Sequence, residues 1–311
     1  MKKVLLDFDI GTEIDDAIAL AYLLANPECE LVGITTSCGE SIKRAEMASV
    51  LCRAAGKKVP IHAGCERPLL IPQMETTAPQ AAILPHYEHD TGFAPNTAIP
   101  FMQKVIRENP GEVTLLAVAP MTNLGLLFAM DPELPELLDG LYLLCGSPTH
   151  QRHDVVTESL SAMERDDFIR VLASQGILEN NSIVDPHATS IVYRARCRNF
   201  VNIGNNVSSR VVMTPEEAER RFRHPIMQVV MSIAREWFKD EPRVSFHDPL
   251  AAVCIFNDDV CSYKRGYMDC VLDSRLLGGM TIFREDPAGP HQVAWDVDGD
   301  KFFEHLFEVF A

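Results

Sequence analysis

Basic residues are scarce in this chain of 311 residues. Lysine and arginine total 28 against 44 aspartates and glutamates, which gives a formal net charge of −16 at pH 7. A surface of this sign repels the phosphates of DNA and RNA and the anionic headgroups of lipids. We therefore expect neither a nucleic-acid partner nor a membrane partner, whereas the charge is compatible with a cation site.

Long uninterrupted hydrophobic runs are also missing. No segment supplies the ~18–20 consecutive apolar residues that a membrane-spanning helix needs. The N-terminal stretch MKKVLLDFD has only the apolar run VLL before its first aspartate, which is too short for the hydrophobic part of a signal peptide. The chain is accordingly expected to be a cytoplasmic protein.

Closely spaced cysteine pairs are absent as well. The nine cysteines are scattered along the chain, and no two of them form a CxxC motif. This usage is typical of reduced thiols that serve as small core residues, rather than of a disulfide framework or a zinc site.

What is present is a strongly patterned hydrophobic chain, with 47% hydrophobic residues. Short apolar runs alternate with helical patterns over the first half: the predicted strands include KVLLDF, ELVGITTS, EVTLLAVA and GLYLLCGS, and the predicted helices include DDAIALAYLLA and SIKRAEMASVLCRAAG. This alternation indicates an α/β fold of the Rossmann-like kind, a mostly parallel open sheet with helices on both faces. Because no linker or repeat divides the chain, residues 1–311 are expected to form a single domain.

Five acidic residues crowd into the first strand-to-helix connection: Asp7, Asp9, Glu13, Asp15 and Asp16. Like charges at close range raise one another's pKa, and burying each of them is costly unless something compensates. The dipole of the following helix contributes only about 0.3–1 kcal/mol per charge, which is too little for the whole group. The sequence therefore predicts a bound cation, with Glu13 the member most simply explained as solvated.

Two later segments look ordinary when each is taken alone. In SFHDPLAAV, Asp248 would cap a helix that begins with a proline, and His247 would be a structural histidine. In AVAPMTNLGLL, a strand stops at a proline, and Thr122 or Asn123 would cap the next helix. Asp7 and Asp9 come at the carboxyl end of the first predicted strand. Ligands of open parallel sheets bind beyond the carboxyl ends of the strands.

Taken together and in this order, the motifs DxD with DDA, VAPMTN and HDPLA resemble the calcium-dependent nucleoside hydrolases of the inosine/uridine-preferring family. The resemblance spans nearly the whole chain and includes GITTS after the second strand and LYLLCG where the family tends to read LMGG. The form DIGTEIDDA carries two more residues than the commoner DPGxDDA. The resemblance implies a nucleoside hydrolase-like fold.

It also implies one Ca²⁺ at the bottom of a pocket. The protein ligands would be Asp9, Asp16, Asp248 and the backbone carbonyl of Val118. All of these are hard oxygen donors, as Ca²⁺ requires. Asp7 would support the ligands from behind.

The reaction implied by the resemblance is cleavage of the N-glycosidic bond of a nucleoside or a related ribosyl glycoside, with a water on the ion as nucleophile. Asp9 would take a proton from that water, and the buried anions would stabilise an oxocarbenium-like transition state. His247 would protonate or polarise the leaving base, and Asp15 would contact the ribose 2′-hydroxyl. The family also implies a homodimer or homotetramer.

Several sugar-binding positions of the family differ in this sequence. Glu40 stands where an asparagine usually follows GITT. Aligning TESLSAMERDD with the family's EFN stretch puts Glu158 at the glutamate and Leu160 at the asparagine, while Arg152 falls at a further asparagine. Because each lost hydrogen bond to a buried hydroxyl costs about 1–3 kcal/mol, inosine and uridine are expected to be poor substrates.

The proline-rich segment 66–96 has no clear periodicity and is long for a plain connection, a feature typical of functional loops. Its HDTG stretch resembles a histidine-glycine segment that lines the family's pocket. The resemblance therefore makes His89 a candidate substrate contact.

Two other interpretations stay open at this point. The chain could be a relative that binds calcium and sugar with altered specificity or without catalysis, since several asparagines are missing. It could also be a haloacid-dehalogenase-like phosphatase, because LLDFDIGT ends a strand with DxD. That family needs DxDxT and a later lysine, whereas Thr12 comes one residue late and HDPLA is left unexplained.

Overall fold

The strands form a central sheet in this computed structural model, which describes residues 1–148, 178–239, 241–274 and 277–311. In that part of the chain the strands are β1 (Lys2–Phe8), β2 (Cys29–Thr36), β3 (Ile61–Ala63), β4 (Val113–Ala117), β5 (Gly140–Leu144), β6 (Phe200–Ile203), β7 (Val212–Met213), β8 (Val244–Ser245), β9 (Cys261–Cys270), β10 (Thr281–Glu285) and β11 (His291–Val297).

The helices connect most of these strands. They are α1 (Asp15–Ala25), α2 (Ser41–Ala54), α3 (Ala98–Glu108), α4 (Thr122–Met130), α5 (Asn180–Val184), α6 (Pro186–Tyr193), α7 (Asn205–Ser208), α8 (Pro215–Arg221), α9 (Pro225–Trp237), α10 (His247–Cys254) and α11 (Gly299–Glu308), with 3₁₀ helices at Pro79–His86 and Leu134–Leu137. None of the helices that the structure describes has the length and apolar character to cross a membrane.

The main sheet has nine strands in the order β10-β9-β11-β6-β5-β4-β1-β2-β3. The seven strands from β11 to β3 pair in parallel, β9 runs antiparallel to β11, and β10 runs antiparallel to β9. β7 and β8 form a separate antiparallel pair. The predicted mostly parallel open sheet is therefore confirmed.

Helices cover both faces of this sheet. Successive strand residues point to opposite faces, and β1 follows this rule: Val4, Leu6 and Phe8 belong to one hydrophobic cluster and Leu5 to the other. The first cluster includes the apolar residues of α1 and α2, and the second includes those of α3 and α4. This arrangement confirms the predicted layers, whereas the expectation of a single domain stays a prediction.

All nine cysteines are free thiols, and seven of them are buried. The sulfurs of Cys254 and Cys261 lie 3.7 Å apart, well beyond the ~2.05 Å of a disulfide bond. The predicted role of the cysteines as small core residues is thus confirmed for most of them.

The topology brings both ends of the chain to one edge of the sheet. β1 and β4 are neighbouring parallel strands, so the residues just after their carboxyl ends, Asp9 and Val118, reach the same edge. α10 packs against α1, which carries the start of α10 from the far end of the sequence to the same place. Ligand sites of open parallel sheets form at such an edge.

Candidate active site

A cavity of about 200 Å³ lies at this carboxyl edge and contains seven carboxylate groups. It receives residues from the ends of β1, β4 and β5 and from the starts of α1, α5, α7 and α10. Its lining consists of Asp9, Thr12, Glu13, Asp15, Asp16, Glu75, Val118, Leu144, Leu178, Glu179, Asn180, Asn181, Asn205, His247 and Asp248.

Two of the predicted metal ligands, Asp16 and Asp248, come together in this cavity with Asp15. Carboxylate oxygens of Asp15, Asp16 and Asp248 all lie within 4.8 Å of one another, and the three residues are buried. Asp9 and Val118 line the same space. A second group of possible ligand atoms, within the same distance limit, consists of Asp9, Cys38 and Glu75.

Asp15 fastens the two distant parts of the chain together. Its Oδ2 accepts hydrogen bonds from the backbone N–H groups of His247 and Asp248, both at 3.1 Å. These N–H groups open helix α10, where backbone donors have no partner within the helix and negative charge is favoured. Asp248 is therefore held in the cavity by a carboxylate 233 residues earlier in the sequence.

Asp7 lies behind the cavity and does not line it, as its predicted supporting role requires. Its Oδ1 accepts hydrogen bonds from the Thr35 hydroxyl at 2.6 Å and from the Asn123 side-chain amide at 2.8 Å. The second oxygen, Oδ2, is buried without a hydrogen-bond partner. Burial raises the pKa of Asp7 to about 7.

Burial and mutual repulsion shape the electrostatics of the acidic cluster. Burial raises the pKa of Asp9 to about 8. The pKa values of Asp16 and Asp248 are held well above their ordinary range, first by burial and then by neighbouring carboxylates. A cation among these groups would remove the repulsion, and their oxygen atoms are the ligands that hard divalent ions prefer.

Arg44 is the buried cation beside the cluster, with its side chain fully inaccessible to solvent. Its guanidinium donates to the backbone carbonyls of Asp9 and Ile10, to that of Gly39 at 2.8 Å, and to the hydroxyl of Thr12 at 3.0 Å. These acceptors are neutral, so Arg44 braces the loop after β1 while its positive charge lowers the pKa of Asp9 against the effect of burial.

His247 also lines the cavity, at the first position of α10. Its Nδ1 lies 2.7 Å from the hydroxyl oxygen of Ser208. Burial lowers the pKa of His247, and the nearby Asp15 opposes this effect. Burial therefore favours the neutral form of the imidazole.

Two of the residues predicted to bind substrate lie away from the cavity. The Glu40 carboxylate pairs with Lys43 at 2.5 Å and accepts the Ala78 backbone N–H at 2.9 Å. Glu40 precedes α2 in the left-handed backbone region, with φ 58°, which turns its side chain toward these partners. His89 Nδ1 lies 2.8 Å from the Tyr87 carbonyl oxygen of its own loop. Neither residue lines the cavity, and their substrate contacts stay predictions.

The other three predicted substrate contacts, Arg152, Glu158 and Leu160, lie outside the described residues. Among the described residues, a stretch with the same E-x-N spacing lines the cavity at 179–181. Glu179 accepts backbone hydrogen bonds from Gly146 at 2.7 Å and from Asn181 at 2.7 Å. The E-x-N spacing is the signal in the sequence that points to this stretch.

Asn181 connects this stretch to the predicted metal ligands. Its side-chain amide donates to the Val118 carbonyl at 2.7 Å and to the Leu144 carbonyl at 3.0 Å. Asn180 donates from its side chain to Glu75 at 2.5 Å and so links α5 to the segment 66–96. No sequence pattern singled out Glu75, which lies in a segment without periodicity.

The fold and the site define an α/β protein whose buried, oxygen-rich cavity suits a hard cation together with a hydroxylated ligand. The family model described as inosine-uridine preferring nucleoside hydrolase matches residues 4–304, and the chain belongs to this family. Nucleoside hydrolases are metal-dependent N-glycosyl hydrolases, so the chain is an enzyme of that class. The family match replaces the phosphatase interpretation.

Relatives match over nearly the full length of the chain. The inosine-uridine preferring nucleoside hydrolase of Crithidia fasciculata is 26% identical, covering 97% of this chain and 95% of that protein. Uridine nucleosidase 1 of Arabidopsis thaliana is 24% identical, with coverages of 98% and 92%. The crystal structure of the inosine-uridine preferring nucleoside hydrolase from Bacillus anthracis superposes with a TM-score of 0.77 at 20% identity, covering 99% of each chain. This structural likeness supports the α/β nucleoside hydrolase fold.

Proposed function

We propose that this protein hydrolyses the N-glycosidic bond of a nucleoside or a related ribosyl glycoside and that it uses Ca²⁺ to do so. The single observation that carries the proposal is the meeting of Asp16 and Asp248, from opposite ends of the chain, with oxygens within 4.8 Å. Three buried carboxylates at this separation are unfavourable without a cation.

The donor set fits Ca²⁺. Asp9, Asp16 and Asp248 offer carboxylate oxygens, and the Val118 carbonyl keeps a second lone pair besides the one that accepts from Asn181. Oxygen ligands suit Ca²⁺, whereas structural zinc sites are built mainly from cysteine and histidine. When bound, the ion supplies a Lewis acid that orients the sugar hydroxyls and polarises the attacking water.

Asp9 is the proposed general base. Its carboxylate lines the cavity beside the proposed ion, where a bound cation would keep it ionised and placed to accept a proton from the attacking water. The remaining carboxylates face a sugar ring that gains positive charge as the bond to the base breaks, which lowers the barrier electrostatically.

His247 is proposed to assist departure of the base as a neutral imidazole. The lowered pKa supports hydrogen bonding to the leaving base rather than transfer of an imidazolium proton at pH 7. The contact between Nδ1 and the Ser208 hydroxyl fixes the orientation of the ring.

For the sugar, we propose that Asp15 contacts the 2′-hydroxyl and that Glu179 and Asn181, rather than Glu158 and Leu160, correspond to the family's glutamate and asparagine. Both line the cavity, which supports the new correspondence. One of the three contacts counted as lost, the asparagine of this stretch, is then retained. The expectation that inosine and uridine are poor substrates accordingly loses part of its basis, and we propose that a ribonucleoside is accepted.

We further propose a homodimer or homotetramer in the cytoplasm. The family resemblance supports the assembly, and the nine free thiols are compatible with a reducing compartment. Light scattering of the purified protein measures the assembly directly, and a monomeric mass would contradict it.

A substrate screen tests the proposed function. Release of base and ribose is expected from at least one of inosine, uridine, adenosine and cytidine, with loss of activity after chelation and recovery on adding Ca²⁺. Hydrolysis that is insensitive to chelation would contradict the role of the ion. Binding of ribose by calorimetry without any turnover would instead favour a non-catalytic sugar-binding protein.

The stability of the metal-free protein is expected to fall as the pH rises. Folding raises the pKa of Asp9 from 3.8 to about 8, so between these values the folded state binds more protons than the unfolded state, and the free energy of unfolding decreases with pH. Ca²⁺ competes with protons for the same oxygens, so the stabilisation by Ca²⁺ should grow over this range. Thermal melting at several pH values, with chelator and with Ca²⁺, measures both trends; a chelated protein that becomes more stable up to about pH 8 would contradict them.

A further inference from the structure

A second and larger cavity, here called the arginine groove, lies apart from the proposed active site and has a volume of about 860 Å³. Its lining comes mainly from the segment 193–198 at the end of α6 and from strands β9 and β10 at one end of the sheet. Among the described residues, it has none in common with the cavity of the acidic cluster. Its volume is within the range of about 300–1,000 Å³ that is typical of sites for small molecules.

The arginine groove is basic although the chain as a whole is strongly acidic. Four arginines line it: Arg194, Arg196, Arg198 and Arg284. The described lining contains two carboxylate residues, Glu136 and Asp269. Four positive and two negative side chains leave a formal charge of +2 in a chain whose net charge is −16. Such a local excess of positive charge attracts anions.

Three of these arginines have no partner in the part of the chain that the structure describes. The exposed guanidiniums of Arg194, Arg196 and Arg198 form no hydrogen bond or ion pair there. Other surface arginines pair with carboxylates, as Arg53 and Arg107 do. Because a guanidinium presents planar donors that match phosphate oxygens, the three free guanidiniums at one groove are available to a phosphate-bearing ligand.

The strands contribute an aromatic and an aliphatic side chain to the same groove. Tyr267 on β9 and Arg284 on β10 are cross-strand neighbours, and the Arg284 guanidinium lies 4.3 Å from the centre of the Tyr267 ring. Arg284 also pairs with Asp286 at 3.2 Å, which holds its side chain in place. Tyr267 is 38% exposed and Ile282 is 47% exposed. Exposed apolar side chains beside free guanidiniums suit a ligand that joins phosphate groups to an organic ring.

We infer that the arginine groove is a second ligand site, and that it binds a small molecule of the nucleoside diphosphate class. The free guanidiniums of segment 193–198 bind the phosphates through charge-assisted hydrogen bonds, and several separate guanidiniums favour a ligand with more than one phosphate. Tyr267 and Ile282 contact the organic part. The inference does not rest on the proposed function, because the groove and the proposed active site have no described residue in common.

Calorimetric titration with ADP tests this site. Metal ions are first removed with a chelator, because ADP would also bind to Ca²⁺, and the chelator is then dialysed away, because a polyanion would compete for the groove. We expect the wild-type protein to bind one ADP per chain, with an affinity that falls as the salt concentration rises. Arg196→Gln and Arg198→Gln should each lower the affinity about 10-fold, since each variant loses a charge-assisted hydrogen bond to phosphate.

A matched variant and a second ligand complete the experiment. Arg235→Gln removes the same charge from an exposed position on α9, outside the groove, and should change the affinity for ADP by less than about 2-fold. Pyrophosphate lacks the organic part of ADP and should bind more weakly. Ile282→Ser should reduce this difference between the two ligands, because it removes an apolar contact to the organic part. Circular dichroism checks that each variant folds.

The outcomes separate this site from the proposed function. If the wild-type protein binds no ADP, or if Arg196→Gln and Arg198→Gln leave the affinity unchanged, the inference is overturned and the proposed function is unaffected. An equal loss of affinity in Arg235→Gln and Arg196→Gln would also overturn it, because binding would then follow the overall charge. A protein that binds ADP through the arginine groove but hydrolyses no nucleoside would support the site and contradict the proposed function.

Discussion

Replacing Asp16 with asparagine is expected to abolish Ca²⁺ binding and hydrolysis while making the metal-free protein more stable. The pKa of Asp16 is held well above its ordinary range by burial and by Asp9 and Asp15, so its charge opposes folding when no cation is bound. Asparagine keeps the Oδ1 that accepts the Asp9 backbone N–H at 3.1 Å. Removing one buried charge should therefore raise the free energy of unfolding by roughly 1–4 kcal/mol.

The same substitution removes one carboxylate ligand from the proposed site. Metal-ion catalysis supplies several kcal/mol of transition-state stabilisation, so kcat/KM should fall at least ~10³-fold. Urea unfolding with chelator measures the gain in stability, while thermal melting with Ca²⁺ measures the loss of ion binding. Asp258→Asn, an exposed aspartate outside the cavity, is the control. A lower free energy of unfolding for Asp16→Asn than for the wild-type protein, measured with chelator, would contradict the proposed repulsion among these carboxylates.

Replacing Arg44 with methionine is expected to cause a large loss of stability. The guanidinium is fully buried and donates to backbone carbonyls of two loops, to that of Asp9 after β1 and to that of Gly39 after β2. Methionine fills a similar space but leaves these acceptors unsatisfied and removes the buried positive charge beside the acidic cluster. We expect the free energy of unfolding to fall by about 3–5 kcal/mol.

Arg53 on the same helix provides a matched control. Its side chain is about half exposed and pairs with Asp90 at the surface, so Arg53→Met should cost less than about 1 kcal/mol. Arg44→Lys keeps the charge but loses the planar set of donors. Urea unfolding of the three variants separates the contribution of the charge from that of the hydrogen bonds. If the free energy of unfolding of Arg44→Lys is close to that of the wild-type protein, the charge accounts for the effect. If it is close to that of Arg44→Met, the hydrogen bonds account for it. An equal loss in the free energy of unfolding for Arg44→Met and Arg53→Met would contradict the proposed role of Arg44 in bracing the loop after β1.

Local sequence patterns were enough to predict the regular elements of the first half. The apolar run of β1 is buried on both faces of a parallel sheet, and α1 begins and ends where its pattern does, at Asp15 and Ala25. Strand and helix periodicity are properties of neighbouring residues, which explains why sequence alone predicts them. The motif residues Asp9, Asp16, His247 and Asp248 also all line the cavity.

The directions of side chains in the loops around the cavity depend on more than local pattern. Glu40 matched a family position in sequence, yet its left-handed backbone turns the side chain to Lys43 and Ala78. Side-chain direction at such a position depends on φ and on partners far along the chain, which a motif match does not contain. Glu75 reaches the cavity from an irregular loop and pairs with Asn180, 105 residues away.

The acidic cluster, the sheet-forming runs and the HDPLA segment can be recognised in the amino-acid sequence, since each is a local arrangement of residue types. Three features came only from the folded chain: which carboxylates share one cavity, the burial of Arg44 behind them, and the position of Glu13 in the lining of the cavity. Strand order and helix packing create these contacts between residues up to 233 positions apart. No local pattern encodes such pairings, because they arise when the carboxyl ends of parallel strands meet at one edge of the sheet.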